Sequence, residues 1–145
     1  PHVLAGTLWG ILWLLWMTLA RGYRADGSLA AITLGLFLLF IATAAVALLL
    51  LALTREVSSA LSGSVIIAGS ALAYSGSSLP LTGAGWFPRI WSNVLPLTHY
   101  VSLQMDQVLG ASAGPFLRSA GALLLYPLVA GGLAFALILR TRRAQ

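Results

Sequence analysis

Long apolar runs separated by short polar punctuation dominate the chain. Residues 2–20 carry no charged side chain and end at RGYRADGS, 21–28, where glycines and charges interrupt a helix. Residues 29–53 follow, again uncharged, with Ser28 standing where an N-cap belongs and Thr54, Arg55 and Glu56 closing the run. A third run, 58–79, is less apolar and holds eight serines. Its small residues recur every fourth position in two rows: Ala60, Ser64 and Ala68, then Gly69, Ala73 and Ser77. Such rows let helix backbones approach closely in lipid, so the run reads as a buried helix. The fourth run, 119–139, has Pro127 at its middle and Gly131 and Gly132 beyond, which predicts a kinked, closely packed helix. It stops at RTRR, 140–143, a cationic end suited to a helix C-terminus and to anionic headgroups. Each run approaches the roughly 20 residues that cross a hydrocarbon core of about 30 Å. The pattern therefore predicts an all-α polytopic transmembrane protein with about four spanning helices.

The segment 79–118 fits neither a water-soluble loop nor a span. It contains Pro80, Pro88, Pro96 and Pro115 together with Trp86, Phe87, Trp91 and Tyr100, an aromatic load expected at a membrane interface. Pro88 can open one short helix reaching Leu95, and Pro96 a second ending at Gly110. In the second, Leu97, Val101, Met105 and Val108 share one face and His99, Ser102 and Asp106 another, following the 3.6-residue period. The two form an amphipathic hairpin that lies on or dips into the bilayer.

Composition agrees with a bilayer as solvent. Of 145 residues, 59% are hydrophobic and 8% charged, against roughly 25% charged in soluble domains. Eight arginines, no lysine and three acids give a net charge of +5, yet three of the arginines lie in the last six residues and the rest are scattered. No phosphate-tracking stripe results, which excludes nucleic acid as a partner. The absence of cysteine excludes disulfides, thiolate zinc sites and thiol catalysis. The chain opens at Pro1 and its first run has no small-residue cleavage site, so it reads as a fragment rather than as a signal peptide. Alternation puts four arginines on each side of the membrane, a tie under the positive-inside rule, and the dense terminal cluster points to a cytoplasmic C-terminus.

Several chemistries can be weighed against this frame. A phosphate-binding loop needs a lysine the chain lacks, and LSGSV at 61–65 opens an apolar helix with no nucleotide fold around it. GASAG at 110–114 matches GxSxG, with His99 and Asp106 upstream, which raises an intramembrane serine hydrolase using Ser112. The elbow requires a strand-to-helix turn, and no strand is predicted; on one helix His99 and Asp106 stand roughly 10 Å apart along the axis, too far for a direct orienting bond. His2 and His99 fall on opposite sides, so no metal site is expected. His99 and Asp106 are either polar groups on a substrate path or the wet face of an interfacial helix. Trp9, Trp13 and Trp16 form one stripe, suited to packing or to stacking on a flat substrate.

YSGSSLPL at 74–81, WFP at 86–88 and WSNVLPLTHY at 91–100 together resemble the membrane permease of type-2 ABC exporters. Ser75, Gly76 and Pro80 match that family's turn at the end of a helix, and residues 95–100 match the turn leading from a short-helix hairpin toward the last span. Gly27 and Ser28 before the second run and Arg55 and Glu56 after it are also similar; a methionine usual near Gly85 is absent. The resemblance implies a transport subunit that is not itself an enzyme, the four runs being the last four of six spans. It implies a dimer with a second permease copy or a homologue, in lipid, enclosing a path opened alternately as partner ABC ATPase subunits close on ATP and Mg. No cofactor is expected on this chain. The implied outer gate comprises Ser75, Gly76, Pro80, Trp91, Pro96, His99 and Tyr100, and the implied ATPase-proximal turn Arg55 and Glu56. Localisation follows as a bacterial inner membrane, with Arg55 and the C-terminus cytoplasmic and the hairpin external. A non-transporting membrane scaffold is the remaining alternative.

Overall fold

Ser28 starts the helix that organises the rest. Its backbone is extended and its Oγ accepts from the Ala31 N–H at 3.3 Å, satisfying one of the donors a helix start leaves open. From there α2, Leu29–Thr54, runs 26 residues with apolar side chains all round, the signature of a helix enclosed by other helices. In the computed structural model, which describes residues 1–24, 26–75, 83, 85–110 and 112–143 (the side chains of 142 and 143 excepted), α2 touches every other spanning element.

Helix α1, His2–Leu19, packs along α2. Gly6 and Gly10, four residues apart, bring the α1 backbone against Phe40 and Leu36 of α2, a close approach of the small-xxx-small kind. The tryptophan stripe runs beside that face: Trp9, Trp13 and Trp16 are all exposed, the last two with ring centroids 5.1 Å apart. Trp13 also borders a cavity of about 190 Å³ with Leu29 and Ile32 of α2 and Gln104 and Val108 of the later helix 96–108.

Helix α3, Val57–Tyr74, ends five residues before the boundary drawn from the sequence, and it is not a buried helix. Ala60 and Ala71 are buried, but Val57, Leu61, Val65, Ile66 and Leu72 are open, and nothing approaches Gly69. Ser64 and Ala68 of the first row border a cavity with Thr43 and Val46 of α2, and Ser77 of the second row lies outside the described residues. Helices α4, Trp86–Val94, and α5, Pro96–Val108, form the hairpin, and α4 starts two residues before Pro88. The last span begins at Ala113, six residues earlier than expected, as α6, Ala113–Tyr126. It passes through a π turn, Pro127–Gly131, and continues as α7, Gly132–Arg143. The π turn is how the helix absorbs the missing N–H and the ring of Pro127. Ala42 and Ala45 of α2 lie buried along this span, which is buried at Ala130 and Ala134 and approaches Ala45 through Gly131.

Four helices are long and apolar enough to cross a membrane: His2–Leu19, Leu29–Thr54, Val57–Tyr74 and Ala113–Thr141. The described residues contain no strand. The protein is an all-α integral membrane protein. Arg55 and Thr141 line one shallow cavity with Leu48, Leu51, Ala52 and Ile138, so the α2–α3 turn and the C-terminal end of α7 share one end of the bundle. The 21–28 connection and the start of α6 share the other.

Candidate functional site

The hairpin enters the bundle. Helix α5 runs antiparallel to α2, with Gln107 at Gly27 and Ser28, Leu103 at Gly35, and Pro96 bordering a cavity of about 90 Å³ with Thr43 and Val46. At 1.5 Å per residue Thr43 lies about 22 Å along α2 from Ser28, near the middle of that 26-residue helix. The face of α5 that packs inward is Pro96, Tyr100, Leu103 and Gln107, all buried, while Met105 and Val108 point outward. The apolar stripe picked from the sequence is therefore divided: Met105 and Val108 are exposed, while Leu97 packs against the buried cluster. In a bilayer apolar surface gains nothing by leaving the solvent, so the helix turns its better-packing face inward.

Backbone outside a regular helix at this depth is tolerated only when protein satisfies it. At the apex the Leu95 N–H donates to the Ser92 carbonyl and the Thr98 N–H to the Leu95 carbonyl, both at 3.2 Å. Two side chains then close the open end of α4: the Tyr126 hydroxyl donates to the Val94 carbonyl at 3.0 Å, and His99 Nε2 stands 3.0 Å from the Asn93 carbonyl. A carbonyl only accepts, so His99 carries a proton on Nε2. His99 therefore closes the C-terminal end of α4, which a wholly water-facing polar face does not require.

Beside the apex, between α5 and α6, opens a cleft of about 510 Å³ whose polar lining includes Asn93, His99, Ser102, Asp106, Arg118 and Ser119. It adjoins an apolar groove of about 350 Å³ along α6, bordered by Leu125, Tyr126, Val129 and Ala130; Asn93, His99 and Ala122 belong to both.

The residues singled out by the sequence fall in three places. Pro96, His99 and Tyr100 meet at the apex, Tyr100 buried with Leu38, Leu39, Ala42 and Leu103. Trp91 is on the preceding helix, stacked on Phe87 with centroids 6.2 Å apart, and Ser75 is buried at the end of α3 with its hydroxyl donating to the Leu72 carbonyl at 3.2 Å. Gly76 and Pro80 lie outside the described residues. Arg55 and Glu56 stand at the far end. Ser112 occupies the residue before α6 and is exposed, with no strand leading to it among the described residues. The nucleophile elbow is therefore missing, and His99 is engaged at the Asn93 carbonyl.

The Arg55–Glu56 turn is built tightly. Arg55 ends α2 in the left-handed region, φ 55°, where its N–H donates to the Leu51 carbonyl at 2.9 Å. Glycine would occupy that conformation more easily, so the arginine is kept against a local cost. Glu56 accepts from the Ser59 and Ser58 hydroxyls at 2.6 and 2.7 Å, and these bonds hold its pKa below the ordinary glutamate value. A carboxylate with a lowered folded pKa stabilises the fold above its unfolded value, about pH 4.3, and loses that contribution as the pH falls through the folded value. Glu56→Gln is expected to lower the thermal midpoint slightly at pH 7 and to converge on the parent protein as the pH falls through the lowered folded value; a difference that is constant with pH would contradict this.

With this geometry in place, comparison with known proteins becomes decisive. The sequence model of the family described as "ABC-2 family transporter protein" matches residues 2–136, nearly the whole chain. The chain belongs to the ABC-2 transporter family. It is a membrane permease component of an ABC transporter. No curated protein and no solved structure matches it.

Sequence reasoning missed three residues that hold the ABC-2 permease's hairpin in place. Gln107 accepts from the Ser28 N–H through its side chain (3.1 Å) and from the Gly27 N–H through its backbone (2.9 Å). Leu103, fully buried, presses on Gly35. Tyr126 reaches the apex from α6. Gln107 carried a signal, as a polar residue in register with Tyr100 and Leu103; the Tyr126 contact spans 32 residues and carried none.

Proposed function

We propose that this ABC-2 permease works in a bacterial inner-membrane exporter, paired with a second copy or a homologue and driven by separate ATPase subunits that bind ATP and Mg. The observation that carries this reading is the family match over residues 2–136 on a bundle whose two ends differ. One end holds a re-entrant hairpin sealed into the bundle to mid-membrane depth; the other presents the Arg55–Glu56 turn beside the end of α7. In this reading the hairpin end faces outward and gates the path, and the Arg55 end and C-terminus are cytoplasmic, where an ATPase docks. An arginine held in a left-handed cap supports a role for Arg55 beyond closing the helix.

The gate is tested at Pro96, the first residue of α5, where a proline's fixed φ and missing N–H suit a helix start. Pro96→Ala frees the turn and removes a buried ring. Export by membrane vesicles is expected to fall about fivefold, a coupling change of about 1 kcal/mol, with membrane insertion unchanged. Export at the parent rate would remove the hairpin from the gating scheme.

A further inference from the structure

We propose that the cleft between α5 and α6 binds a zwitterionic amphiphile, its phosphate on Arg118, its ammonium on Asp106 and one acyl chain in the groove along α6. A polar chamber and an apolar channel are here one continuous space: Asn93, His99 and Ala122 line both. The charges sit at the membrane-surface end. Asp106 is two residues from the end of α5, and Arg118 is five residues into α6. Neither makes an ion pair among the described residues, so one cation and one anion face the same chamber with their charges uncompensated. A head group bearing a single charge would complement one and oppose the other; a zwitterion complements both. From Arg118 the groove continues to Ala130, about 18 Å lower at 1.5 Å per residue, close to one leaflet, half of a core about 30 Å thick. A chain anchored at Arg118 therefore ends where the leaflet ends.

The proposal goes beyond ATP-driven transport and does not need it, since binding is measured on the permease alone. The full-length protein in a neutral maltoside detergent is titrated with lysophosphatidylethanolamine and followed by native mass spectrometry. Lysophosphatidic acid supplies the anion alone, monoacylglycerol a neutral head, and glycerophosphoethanolamine the head without a chain. The zwitterionic amphiphile is expected to bind about tenfold more tightly than lysophosphatidic acid, and the chainless head at least a hundredfold more weakly than the amphiphile. Arg118→Gln and Asp106→Asn are each expected to lower its affinity about tenfold, and Ala122→Phe, which fills the neck, to abolish saturable binding. Arg21→Gln, a charge change outside the cleft, leaves affinity unchanged. Arg118 is exposed, so its variant keeps the fold, and Arg118→Lys, retaining the charge, restores part of the affinity. Parent-like binding by Arg118→Gln, Asp106→Asn and Ala122→Phe, or affinity that follows the head alone or the chain alone, overturns the proposal. Loss of binding in a protein that still recruits an active ATPase would sink this site and leave the permease reading standing.

Discussion

Gly27→Ala is expected to undock the hairpin from the bundle. A Cβ at this position would fall well inside contact distance of the Gln107 backbone oxygen and 2.9 Å from Gln107 Oε1. A backbone oxygen cannot swing away as a side-chain tip can. Relief requires the 26–28 strip to separate from the end of α5, and three bonds lie along that seam: Asp26 N–H to the Val108 carbonyl (3.3 Å), Gly27 N–H to the Gln107 carbonyl (2.9 Å) and Ser28 N–H to Gln107 Oε1 (3.1 Å). At roughly 1 kcal/mol each, the loss is about 3 kcal/mol, large for a single methyl group. The checks are the thermal midpoint in detergent and hydrogen exchange of the α5 amides, both of which should report weakened protection from Gln107 backward. Gly69→Ala serves as the control, because nothing stands within 4 Å of a Cβ there. Full protection of α5 in the Gly27 variant would show that the seam does not hold the hairpin.

The second large effect centres on Leu103, fully buried between α2 and α6 with Leu38, Leu39, Tyr100 and Leu123. Leu103→Ala leaves a cavity in the middle of that cluster and is expected to cost about 3 kcal/mol, within the range for large-to-small core changes. Much of this is lost packing, because lipid is as apolar as the protein interior. Gly35 lies directly opposite: a Cβ added there would come within 2.9 Å of both Leu103 methyl carbons. Gly35→Ala alone is therefore overpacked and destabilising by about 1–3 kcal/mol. In the double variant the new methyl group occupies part of the space the leucine vacates, so the two losses do not add; a favourable coupling of about 1 kcal/mol is expected from a double-mutant cycle. Strict additivity would mean that α5 does not pack on α2 through these two residues.

These two sites show what a membrane sequence discloses and what it withholds. The spans were legible because hydropathy and length decide them: α2 is uncharged from Leu29 to Thr54 and Ser28 caps it as expected. Pro96 at the start of α5 was legible because few other positions in a helix suit a proline. The amphipathic character of α5 was legible, but its buried row Pro96, Tyr100, Leu103 and Gln107 was not, because a row that mixes apolar and polar residues carries no hydropathy signal. The burial of α3 was overestimated for a related reason. Small residues permit a close approach but do not supply the neighbour, and Gly69 has none within 4 Å. Within the candidate site, Pro96, His99 and Tyr100 were found through motif and aromatic content. The tie from Tyr126 to the Val94 carbonyl was not, because it depends on the π turn and register of a helix 32 residues away.

The proposed export function requires a separate ATPase to move this permease. The direct measurement is purification of the full-length parent protein from native membranes, followed by an ATP hydrolysis assay with parent and Walker-mutant partner. The expected result is recovery of a nucleotide-binding subunit and vanadate-sensitive turnover that the Walker mutation abolishes. A pure permease that retains its fold but recruits no ATPase would contradict it.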